Sequence, residues 1–151
     1  SGDIDLCQLK PSAPVALRTR QEIMGQLGAR GGPRSWEAGG LFVDLLGPVE
    51  SDAAVPFRQL SGPYGLITLV CPEELLVERV LVSVYPQPNR DARVCARTLA
   101  SVALRNQIKL DWDEVKRLAK APQYRIFSEC KELVQQVARE LKVQSPFDSS
   151  R

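Results

Sequence analysis

Carboxylates are the only reactive groups that cluster in this sequence: Glu73-Glu74, Asp111/Asp113/Glu114 and Glu129/Glu132. Brought into one cleft by separate elements, such a pair could serve a two-carboxylate hydrolase. Each grouping, however, falls at an expected helix start or on a helix surface, where capping or solvation accounts for it. The chain has no histidine. That removes the commonest general base, the Ser-His-Asp and Cys-His arrangements, and any zinc site needing imidazole. Cys7, Cys71, Cys95 and Cys130 contain no C-x-x-C pair, so no metal cluster is expected. Gly28-Ala29-Arg30-Gly31-Gly32-Pro33-Arg34 is glycine-rich, yet lacks the Lys-Ser/Thr that a phosphate loop places at its helix start. It reads as a flexible connector. The expectation is a non-enzymatic protein with no cofactor and no metal.

Charge is segregated. Between Pro86 and Arg125 nine basic residues (Arg90, Arg93, Arg97, Arg105, Lys109, Lys116, Arg117, Lys120 and Arg125) face four acids, a local net charge of +5, while the remainder sums to −3. Such a stretch could contact nucleic acid or an acidic protein. Its order of helix, short strand, helix, helix over about 50 residues resembles the first part of a winged-helix or helix-turn-helix module. The resemblance implies nucleic-acid binding. Two departures stand against it: few residues follow Leu141 to form a wing, and the would-be recognition helix carries Glu129, Glu132 and Glu140.

The chain has 151 residues, 44% hydrophobic and 25% charged, enough to bury a core without a metal or a disulfide. Its longest apolar runs fall far short of the roughly 20 residues of a membrane span. Wide cysteine spacing favours reduced thiols and a nuclear or cytoplasmic location. Cys95 and Cys130 are expected as small buried hydrophobes.

Several elements must position these groups. Residues 1–13 read as a flexible arm, although Ile4-Asp5-Leu6-Cys7-Gln8-Leu9 alternates and could add a strand to its own sheet or a partner's. A helix opens at Pro14 and ends at Gly28. Three strand-like runs follow: Leu41 to Leu46, Val55 to Leu60, and Gly65 to Cys71. Pro56 makes the second an edge strand or only partly paired, Ser61-Gly62-Pro63-Tyr64-Gly65 can turn a hairpin, and the third, almost wholly apolar, should be the buried central strand. Pro72-Glu73-Glu74 opens a helix over 76–84, with a strand as its competitor. Asn89 caps a helix to about Asn106, Asp111 begins a second, closing at Ala121-Pro122, and a third spans about Tyr124 to Leu141. Trp112 is expected in the core, and Trp36 in the core or at an interface.

The fold expected is therefore α+β: an N-terminal helix, a small antiparallel sheet of about three strands, and a helical C-terminal half packed on the sheet. A single domain over 14–142, with a subdivision near 86–89, and a frayed tail from 143 complete the outline. The expected function is a non-catalytic protein–protein interaction module of a larger intracellular assembly. Its partner would meet the sheet edge and arm at Leu6, Leu9, Phe57, Arg58 and Tyr64. Nucleic-acid binding through Arg90, Arg93, Arg97, Arg105, Lys109, Lys116, Arg117 and Lys120 is the alternative.

Overall fold

A computed structural model describes residues 3–9, 15–49, 51–55, 57–63 and 65–148. The class is α+β, with a helical C-terminal half. Contacts divide the chain into two compact units, residues 1–50 and 51–151.

In the N-terminal unit, strand β1 (Asp3–Gln8) is followed by helix α1 (Leu17–Gln26), then β2 (Arg30–Gly31), β3 (Ser35–Ala38) and β4 (Leu41–Pro48). The sheet order is β1-β4-β3-β2. β1 runs parallel to β4, and the other two pairings are antiparallel. Two expectations change here. The alternating segment read as an arm is a strand, because its backbone groups find a ladder on β4. The connector after Gly28 is likewise a hairpin arm, with Arg30 opposite Glu37 and Gly31 opposite Trp36. At Gly31, with φ +121°, an added Cβ would come within 2.5 Å of the Ser35 carbonyl oxygen, so the close approach of these strands requires glycine. Trp36 is buried.

The C-terminal unit holds β5 (Phe57–Gly62), β6 (Gly65–Val70) and helices α2 (Pro72–Val84), α3 (Arg90–Leu104), α4 (Trp112–Lys120) and α5 (Phe127–Leu141). Its core is helix against helix. Leu76, Val77 and Val80 of α2 meet Ala96, Ala100 and Ala103 of α3, together with Val115, Leu118, Val134 and Val137 from α4 and α5. The α3 stripe is thus made of alanines, which bring the helix axes close. Cys95 lies off that stripe and is exposed, contrary to expectation, whereas Cys130 is buried as expected.

Caps follow from local chemistry. Pro72 occupies the first turn of α2, and the Cys71 Sγ accepts from the Glu74 amide at 3.5 Å. Asn89 accepts from the Ala92 amide, and Asp111 from the amides of Asp113 and Glu114. The segment 76–84 is therefore helical. Residues 108–110 form no strand, and Leu110 is buried in the core instead. Nor does the tail fray directly after α5. Phe147 is buried, edge-on to Trp112 and to Phe127 at centroid distances of 5.8 and 5.9 Å.

The sheet differs most from expectation. Instead of three antiparallel strands sharing one sheet, β4 belongs to the four-stranded mixed sheet, and β5 and β6 form a sheet of their own. No side chain of β5 or β6 belongs to the helical core. The helices bury their apolar stripes against one another, so packing on a sheet is not what closes this unit.

Candidate protein-docking surface

Gly62 and Gly65 face each other across the turn of the β5–β6 hairpin, with Gly65 at φ +126°. The register then pairs Leu60 with Ile67, Arg58 with Leu69, Gln59 with Thr68 and Phe57 with Val70. Directly opposed residues share a face. Leu60, Ile67 and Leu69 therefore make one aliphatic surface, and Leu66, Thr68 and Val70 lie on the other side. All six residues of β6 are exposed, Leu66 to 68% and Ile67 to 55%. The run expected to be the most buried strand is thus the most open apolar segment of its unit. Its hydrophobicity marks a surface that no other described part of its own unit covers.

What holds the hairpin lies at its base. Arg58 donates from Nη2 to Glu73 Oε1 at 2.5 Å and from Nη1 to the Lys109 carbonyl at 2.7 Å. Glu73 Oε1 also accepts the Asp111 amide at 2.9 Å. Beside it, Glu74 accepts from the Asp52 amide, the Tyr124 hydroxyl and the Ser51 hydroxyl. Both carboxylates stand in the first turn of α2 as expected, but they are buried and held by the fold rather than solvated. At least three of their four oxygens are taken by the fold itself, so the pair acts as a latch between the segment 51–58 and the helices. Burial, reinforced by the Glu74 carboxylate, pushes the Tyr124 phenol far above its ordinary value. Burial likewise raises the Cys71 thiol and the Glu78 carboxyl.

Glu114 departs from the capping box expected of it. Rather than reaching back to Asp111, its Oε1 accepts the Ala54 amide at 2.7 Å and both its oxygens engage Arg117. The Arg117 guanidinium, assisted by that amide, holds the Glu114 carboxyl down at about 2. In return Arg117 is raised, and it also donates to the Asp52 carbonyl.

The sequence-derived site residues separate into groups. Phe57 and Arg58 lie together on β5, both half-buried. Leu6 is on β1 and Leu9 follows it, both in the other unit. Tyr64 and Pro56 lie outside the described residues. Among the basic residues, Arg97 pairs with Glu140, Lys116 with Asp113 and Arg117 with Glu114. The Lys120 ammonium sits 4.6 Å from the Phe127 ring centroid, and Arg93 donates to Gln136 at 3.5 Å. Arg90, Arg105 and Lys109 have no ion pair to a described residue.

One grouping escaped the sequence reading. Asp3, Asp5 and Asp44 bring a carboxylate oxygen each to within 4.8 Å of one another, because the parallel register sets Asp5 beside Asp44. Oxygen ligands of this kind suit a hard divalent cation, but exposed acids commonly gather without one. The signal was the shared alternation of two segments whose pairing no single sequence reveals. No protein-family model, no curated protein and no solved structure matches the chain.

Proposed function

We propose that this protein is a non-catalytic interaction module whose C-terminal unit docks onto another protein through the β5–β6 hairpin. A two-stranded hairpin is marginal in water on its own, and edge strands without charge invite pairing with another chain. β6 carries no charged residue, and Arg58, the only charge on β5, is turned into the latch at the base. The single observation carrying this reading is the exposure of every residue of β6, four of them aliphatic. A partner supplying a strand to either open edge, or an apolar face to Leu60, Ile67 and Leu69, would bury that surface while leaving the helical core untouched.

Engagement of Arg97, Lys116 and Arg117 in ion pairs within the fold supports this reading over nucleic-acid binding, which needs cations free to displace counterions. Placement in a larger intracellular assembly belongs to the same proposal. A photo-reactive residue introduced at Leu66, and separately at Arg105, tests it. Capture of a protein from Leu66 with none from Arg105 is expected. Capture confined to Arg105 would contradict it.

A further inference from the structure

The N-terminal unit holds little apolar surface away from water: among its described residues only Met24 and Trp36 are buried hydrophobics. Six of its other aliphatic side chains line a groove between α1 and the strands β1 and β4. Leu6, Leu45 and Leu46 line one side and Val15, Ile23 and Leu27 the other, enclosing about 320 Å³. The shift in register between Leu6 and Gln8 brings three consecutive residues of β1 against this groove.

Arg20 lies on the same wall. Its Nε donates to the Val15 carbonyl at 2.8 Å, which holds the guanidinium in place. No carboxylate among the described residues pairs with it. An anchored, half-buried cation without a counter-ion among the described residues, set in a groove whose lining is mostly aliphatic, selects an apolar occupant carrying negative charge. The groove is also open. Leu6, Ile23 and Leu27 remain 49%, 48% and 67% exposed, whereas small-molecule sites bury most of their ligand. A wide, open-topped, aliphatic trough is the shape that takes the apolar face of a helix.

We infer that this groove is a second docking site, independent of the hairpin, for an acidic amphipathic helix of a partner protein. Its aliphatic side chains would lie against Leu6, Leu46 and Ile23, and one of its carboxylates would meet Arg20. Covering the groove would also supply the apolar burial that the N-terminal unit lacks on its own.

The probe is a synthetic amidated peptide of about 15 residues, long enough to sustain helix, with leucines at i, i+4 and i+7 and glutamates beside them. The readout is alkylation of Cys7, an exposed thiol that lines the groove, in full-length protein carrying Cys95→Ser. Saturable protection of Cys7 by the peptide is expected. Arg20→Glu should weaken it about tenfold, as loss of one partly desolvated charge pair does, and a peptide with lysine in place of glutamate should regain binding to that variant. The rescue separates recognition from damage to the fold. Equal protection by the glutamate and lysine peptides on the parent protein would overturn the inference. So would the absence of protection, protection by laurate but not by the peptide, or protection that grows with protein concentration when no peptide is added.

Discussion

Arg58 and Glu73 form an ion pair, Nη2 to Oε1 at 2.5 Å, in which the arginine side chain is 39% exposed and the glutamate only 5%. The pair ties the base of the hairpin to the first turn of α2, and its two ends stand in different solvent. Removing the arginine leaves a buried carboxylate that, among the described residues, keeps only the hydrogen bond from the Asp111 amide. Arg58→Met should therefore destabilise the C-terminal unit by about 2 kcal/mol, less than for a fully buried pair because water reaches one side. Adding Glu73→Gln should recover part of that loss. Urea midpoints of the two variants check this.

Glu114 gives the unit a pH dependence whose sign is fixed by Arg117. The folded-state value is lowered from 4.5 to about 2. Its contribution is therefore complete above pH 4.5 and disappears as pH falls from there toward about 2. Glu114→Gln should cost about 1 kcal/mol at neutral pH, the usual order for a solvent-facing ion pair, and much less at the acid end. The gap between wild-type and variant urea midpoints should narrow steadily on acidification.

Phe147 should be one of the most costly positions to truncate. It closes the core edge-on to Trp112 and Phe127, with the Lys116 ammonium 5.8 Å from its ring centroid. Phe147→Ala is expected to lower stability by about 3 kcal/mol, and deletion of residues 143–151 by a similar amount. Thermal and urea unfolding measure both.

The four thiols should react in two classes. Cys7 and Cys95 are exposed, whereas Cys71 and Cys130 are buried. Burial alone pushes the Cys130 thiol up to about 12. Alkylation near pH 8, followed by mass spectrometry, should modify Cys7 and Cys95 rapidly. Cys71 and Cys130 should be modified only at the rate of unfolding.

The helical half was largely legible because its signals are local. Asn89 and Asp111 each satisfy amides within three residues, Pro72 opens α2 in its first turn, and the stripes Leu76/Val77/Val80 and Val134/Val137 bury as their spacing predicts. Strand partners were not legible, since pairing is set by residues far apart: nothing near Asp5 announces Asp44. The apolar run of β6 misled for a physical reason. A buried central strand and an uncovered surface strand have the same composition, and only the surrounding elements distinguish them. The latch was hidden in the same way, because Glu73 and Glu74 look like ordinary first-turn acids until Arg58, Ser51 and Tyr124 converge on them.

Leu60 and Ile67 stand opposite each other on the exposed face of the hairpin, so replacing both by aspartate charges the surface without entering the core. The decisive measurement is the affinity of Leu60→Asp/Ile67→Asp protein for the polypeptide captured from Leu66, with urea unfolding recorded on the same sample. Binding should fall by at least about a hundredfold, as when an apolar hot spot is lost, while the unfolding midpoint stays within the small range typical of surface substitutions. Undiminished affinity in a normally folded variant would contradict docking through this hairpin.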